Sequence, residues 1–164
     1  MYETRPNRTN AKAKITVFCC FFAAMASFAA ASLVPKFPAA LQCVGLCLLL
    51  PVIQLTARYL ILQHLYRLTA REDGGVDFEV FTYRGGARMQ LVCRVGLDEI
   101  TAVAELSDAN RRAPHGLRRY NYHPDLAPAK GLVVSLSNGD GVCELLLAHD
   151  ARLLETFRAA SERK

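Results

Sequence analysis

Histidine, cysteine and arginine are the side chains with chemistry to offer in this chain, and their spacing decides what each can do. His115, His123 and His149 are scattered, with neither a helical i, i+4 pair nor the paired motifs of a zinc module. Ser135, His149 and Asp150 supply the residue types of a nucleophilic triad, yet nothing in their spacing brings a base to a hydroxyl. There is no glycine-rich phosphate loop and no nucleophile elbow. The sequence points away from an enzyme and implies no metal and no cofactor. Of the six cysteines, Cys19, Cys20, Cys43 and Cys47 fall in long apolar runs, where a thiol serves as a small packing group. Cys93 and Cys143 fall on expected inward strand faces and read as buried thiols in a reducing compartment; in an oxidising one they could bridge.

The densest charge is in "ANRRAPHGLRRYNYHP", Ala109 to Pro124, which carries Arg111, Arg112, Arg118 and Arg119. The net charge of +5 is uneven: residues 63–164 hold 14 basic and 14 acidic residues and sum to zero. The excess lies in residues 1–62, where Arg5, Arg8, Lys12, Lys14, Lys36 and Arg58 face Glu3 alone. The arginine-rich segment therefore does not mark a nucleic-acid binder. Three readings remain. The arginines could be solvated and paired with Asp98, Glu99, Glu105 or Asp108. They could meet an acidic protein. They could touch an anionic leaflet, where each basic residue contributes about 1 kcal/mol. Phe81 and Tyr83, on an outward strand face, are further candidates for partner contact; the alternative is packing against neighbouring strands.

Two long apolar elements precede these residues. "ITVFCCFFAAMASFAAASLV", Ile15 to Val34, has 20 residues and no charge, or roughly 30 Å of helix, the thickness of a bilayer core. Beyond Pro35-Lys36-Phe37-Pro38, a second apolar run leads to Arg58 and Tyr59, suited to an interface. The expected organisation is a basic tail (1–14), a transmembrane hairpin (15–34 and 39–62) and a folded domain (63–164). Cleavage of the first run as a signal peptide after Ala31 is the rival reading; its length and the second run close behind count against it. Basic residues flank the outer ends of the pair, with Lys36 alone between, so both termini are expected in the cytoplasm. Stripes of small residues (Ala23, Ser27, Ala31; Ala39, Cys43, Cys47, Pro51) predict close helix packing, with Gln42 and Gln54 hydrogen-bonding across the hairpin or in an oligomer. Neither apolar run contains Asp, Glu, Lys or His before Arg58, so a proton or ion pathway lacks its usual parts.

After His64 the pattern alternates. "LYRLTAR" ends at Glu72-Asp73-Gly74-Gly75, and "VDFEVFTYR" puts Val76, Phe78, Val80 and Thr82 on one face. Gly85-Gly86 predicts a hairpin into "ARMQLVCRV", with Met89, Leu91 and Cys93 on one face. Ile100, Ala102 and Ala104 fit a fourth strand. "KGLVVSLS" and "GVCELLLA" flank the turn signal Asn138-Gly139-Asp140. Asp150 is a good N-cap for a final helix with the stripe Leu153, Leu154, Phe157 and Ala160.

The run "YRLTAREDGGVDFEVFTYRGGARMQLVCRVGLDEITAV", with "GLVVSLSNGDGVCELLLAHDARLLETFRAAS", resembles the bacterial pleckstrin-homology-like domains that follow a two-helix membrane hairpin. The resemblance covers residues 64–161. It implies a small antiparallel β-barrel capped by the C-terminal helix, acting as a membrane-associated interaction module. Lipid-binding members carry basic residues around the first hairpin loop, where this chain has Glu72 and Asp73, so phosphate binding there is disfavoured. The expected protein is a multi-pass protein of the cytoplasmic membrane that scaffolds a protein partner or homo-oligomer. Lipid contact would come through Arg111–Arg119. The competing class is an accessory subunit of a membrane enzyme or transporter.

Overall fold

A computed structural model of the chain describes every residue except Met1, Pro35, Ala87, Gly139, Asp140, Arg163 and Lys164. The chain divides into a helical unit, residues 9–62, and a sheet unit made of the residues before and after it.

In the helical unit, α1 spans Ala11–Leu33 and α2 spans Pro38–Leu55, running on through a π-helical turn, Thr56–Ile61. α1 begins four residues before the apolar run, because Ala11-Lys12-Ala13-Lys14 are good helix formers with no breaker among them. Pro38 opens α2, where its missing N–H costs nothing. Both helices are long and apolar enough to cross a membrane. Gly45 sets their packing: a Cβ there would lie 2.9 Å from the Phe28 ring, so only glycine admits this approach. The Ser27 hydroxyl donates to the Leu41 carbonyl at 2.8 Å. Ser27 and Ala31 therefore belong to the contact as expected, but Ala23, Cys43 and Cys47 are exposed. Phe28 docks on Gly45 and rotates the expected cysteine stripe of α2 outward. Gln42 and Gln54 are exposed too, and make no hydrogen bond to another described residue.

Among the described residues the sheet unit contains eight strands: β1 (Tyr2–Thr4), β2 (Leu62–Ala70), β3 (Val76–Arg84), β4 (Gln90–Gly96), β5 (Ile100–Glu105), β6 (Arg118–Asn121), β7 (Leu132–Asn138) and β8 (Gly141–Leu147). A helix, α3 (Ala151–Ser161), follows. They form two four-stranded sheets, ordered β1-β2-β3-β4 and β5-β7-β8-β6. All the registers described are antiparallel except β6 with β8, which is parallel. The expected barrel is not closed: among the described residues no ladder joins the sheets, and β4 and β6 are free edges. The long connection after β5 delivers β6 in the same direction as β8, at the edge where closure would occur.

Strand β1 was not expected from a stretch read as a tail. It pairs with β2 through Tyr2↔Leu68, Glu3↔Arg67 and Thr4↔Tyr66. Two bulges also revise the expected faces. Val92 is the extra residue between Val80↔Cys93 and Phe81↔Leu91, so Leu91 and Cys93 fall on opposite faces. A second irregularity at Thr101 brings Val103, rather than Ala102 or Ala104, opposite buried Val134. The β2–β3 turn has Gly74 at φ +84, which a side chain would resist. The β7–β8 ladder ends at Asn138↔Gly141; Gly139 and Asp140, on which the turn reading falls, lie outside the described residues.

Core side chains from both sheets meet α3. Phe78 and Phe157 pack edge to face at 5.1 Å. Tyr66 is buried; its hydroxyl donates to the Tyr122 carbonyl at 2.9 Å and accepts from Ala148 N–H at 3.2 Å, tying β2 to the second sheet. Asp150 caps α3 by accepting from Leu153 N–H at 3.1 Å, and its other oxygen accepts from the Tyr2 and Thr4 hydroxyls. Burial opposes its charge, but these hydrogen bonds outweigh that and hold the carboxyl below its usual range.

Candidate functional site

The arginine-rich segment forms the connection from β5 into β6. Asn110 shapes its first turn, accepting from Ser107 N–H at 2.7 Å and donating to the Glu105 carbonyl at 2.8 Å. The four arginines then divide. Arg119 leaves β6 on the face away from the core, beneath its own loop, and meets Glu144, its register partner on β8, through Nε at 2.8 Å and Nη2 at 2.6 Å. Both side chains are about nine-tenths buried. Nη1 of the same guanidinium donates to the carbonyls of Asn110 and Arg111 at 2.8 and 3.0 Å. Arg119 is therefore the anchor of its own loop and is not available to a partner. Glu144 was not among the partners expected for it; a lone carboxylate within the apolar "GVCELLLA" was the signal for a buried cation.

Held in this way, the loop presents the other three outward. Arg111 makes an exposed ion pair with Asp108 at 3.2 Å. Arg112 and Arg118 are exposed and make no ion pair with another described residue. Of the other acids considered as partners, Asp98 goes to Arg71 and Glu105 to Arg158.

Arg118 and Tyr120 also line a cleft of about 470 Å³ between β4 and the β6–β8 pair. Cys93 and Cys143 line it too, both as free thiols. Burial pushes each thiol up, keeping it protonated and a poor nucleophile. The Tyr122 phenol is raised as well, chiefly by burial and then by Cys93. The cleft has the character of a contact surface more than of a reactive centre.

Phe81 and Tyr83 lie on the other sheet, on the outer face of β3, and the structure does not bring them to the arginines. Arg67 stacks over the Phe81 ring at 4.9 Å while its guanidinium bonds Glu3 of β1 at 2.9 Å. Arg5 lies 5.9 Å from the Tyr83 ring. Both rings are half-buried under residues that flank or pair with β1. On the same face Glu79 is buried and bonded by Arg94. The β2–β3 turn remains acidic: Arg71 faces Asp73, Asp77 and Asp98, at 3.4, 2.6 and 3.2 Å, with Arg94 a further 4.0 Å from Asp77, beside a cleft of about 720 Å³. An anionic ligand would meet net repulsion there.

His123 follows β6 and is buried. Its Nδ1 accepts from Asp125 N–H at 3.0 Å, which leaves Nε2–H to donate to the Lys130 carbonyl at 3.1 Å. Burial, outweighing nearby Asp125, lowers its pKa below 6.5 and keeps the ring neutral. It is a clamp for the segment between β6 and β7. No group of three His, Cys, Asp or Glu side chains among the described residues is arranged to hold a metal ion. No known family model matches the chain, and no curated protein or solved structure shows significant similarity to it.

Proposed function

We propose that this chain is a multi-pass membrane protein that presents a pleckstrin-homology-like interaction module at the cytoplasmic face, with both termini on that side. The observation that carries the reading is the β1–β2 ladder. The chain leaves the sheet unit after β1, runs through both apolar helices and returns at β2 as the hydrogen-bonded neighbour of β1. A ladder cannot form through a bilayer, so an even number of crossings is required. The exposure of the helices supports the same view: only 11% and 6% of their apolar windows are buried, unlike core helices of a soluble protein. Cleavage after Ala31 would also remove β1, Glu3 and the two hydroxyls that bond Asp150. Basic residues at the outer ends of the pair favour the cytoplasmic side.

Arg111, Arg112 and Arg118 are the residues proposed to touch anionic headgroups. A test of the topology places single cysteines at Lys36 and Glu162 in a chain whose native cysteines are replaced. An impermeant maleimide added to intact cells is expected to label the first and spare the second until the membrane is opened. Equal labelling of both from outside would exclude this topology. The headgroup contact is tested by amide exchange of residues 108–118 in anionic against zwitterionic nanodiscs. Slowing in anionic discs, reversed by salt, is expected.

A further inference from the structure

One seam between the two sheets stays open, and both of its walls are strand edges. β4 is bonded only to β3, and β6 only to β8, so each turns an outer row of backbone N–H and C=O groups away from any ladder. The cleft between them has an apolar floor that includes Cys93, Val95, Leu136 and Leu145. Around it Leu91, Val92, Tyr120 and Val142 are 41%, 39%, 45% and 55% exposed. An accessible apolar strand edge is a template for another strand.

We propose that this seam receives an extended segment of a partner protein, with alternating apolar and acidic residues, which adds as a strand to the edge of β4. The proposal deepens the interaction-module reading and rests on it. Charge selects the occupant. Arg84, the last residue of β3, and Arg88, two residues before β4, are exposed and without an ion pair to a described residue beside the entry to β4, and Arg118 stands on the opposite wall. Arg94 neutralises buried Glu79, which leaves Glu99, at the far end of β4, as the acidic residue of the lining. Acidic residues in the incoming strand would meet these arginines while its apolar residues cover the floor. A lipid headgroup would use the arginines but leave the strand edges and the floor unfilled.

The test titrates the full chain in detergent micelles with a labelled heptapeptide of alternating valine and glutamate, with amide exchange read at residues 90–96. Saturable binding with protection of those amides is expected. Binding should weaken at least tenfold when the peptide glutamates become lysine, and at least tenfold when alternate peptide nitrogens are methylated. Arg118→Glu, at an exposed position, should lose about tenfold as well. Absence of protection at about 1 mM peptide, an affinity too weak for a specific strand, would overturn the proposal. Equal binding of the lysine or methylated peptide would overturn it too. Concentration-dependent protection of 90–96 without peptide would assign the seam to a second copy, and protection by phosphatidylserine micelles alone would assign it to lipid. Membrane topology is read by the maleimide experiment, so failure of either reading is distinguishable from failure of the other.

Discussion

In the helical unit Phe18, Phe22, Leu46, Leu50 and Ile53 point outward, whereas in the sheet unit Tyr66, Phe78 and Phe157 meet in a core that excludes water. The helical unit is the richer in apolar residues, and the two units handle them in opposite ways. The sheet unit supplies its own apolar interior from two sheets and α3, each large side chain contributing roughly 1.5–3 kcal/mol on burial. The helical unit packs its two helices at Gly45 against Phe28 and at Ser27 against Leu41, and leaves most of its apolar surface for a surrounding solvent to cover. A lipid-like solvent would do that without a large penalty, as the membrane proposal requires. The same contrast recurs among the arginines: Arg119 is fully engaged within the fold, while Arg112 and Arg118 are exposed.

Substitutions that act on one unit alone sharpen this contrast. The largest effect is expected for Arg119→Ala, which strands Glu144 inside the fold and should lower the stability of the sheet unit by about 3–5 kcal/mol. Arg112→Ala, on the same loop, should change it by less than about 0.5 kcal/mol. Chemical denaturation of the detergent-solubilised chain, followed by near-ultraviolet circular dichroism, separates the two. Leu46→Arg should act on the other unit, raising the cost of membrane insertion by about 3 kcal/mol and leaving the sheet unit's unfolding midpoint unchanged. Fractionation of the expressed protein measures the first, and the same denaturation the second; a coupled loss of both would break the contrast.

Tyr66→Phe keeps the ring but removes the hydroxyl that serves Ala148 N–H and the Tyr122 carbonyl. A loss of about 1–3 kcal/mol is expected, with faster amide exchange at Ala148. The smallest effect concerns His123, whose folded pKa lies below 6.5 because burial disfavours the charged ring. The unfolded chain then binds more protons over that range. The stability from the neutral clamp is complete above 6.5 and declines as pH falls toward the folded pKa. Amide exchange of residues 121–130 should accelerate on acidification, and His123→Gln should flatten that dependence.

The expected closed barrel failed for a reason that local pattern does not carry. Strands β3, β7 and β8 were legible because alternation and flanking turn residues lie within a few positions of each strand. The faces of β4 and β5 were misread because a single bulged residue, Val92 or Thr101, reverses alternation, and bulges answer to the partner strand. β1 has only three residues, too few for periodicity to register, and it exists because β2 offers an edge to it. The parallel pairing of β6, which keeps the seam open, depends on where a long connection re-enters the sheet.

Length and composition by themselves determined that two apolar helices precede a sheet-rich domain ending in a helix, since uncharged runs and alternating runs are properties of consecutive residues. They also determined that the net positive charge is concentrated in the first 62 residues. Which arginine is buried was decided only in three dimensions. Arg118 and Arg119 are neighbours with the same side chain, and adjacent residues of a strand point to opposite faces. The register of β6 on β8 brings Glu144 opposite Arg119 and not Arg118, and a buried carboxylate takes the cation that register provides.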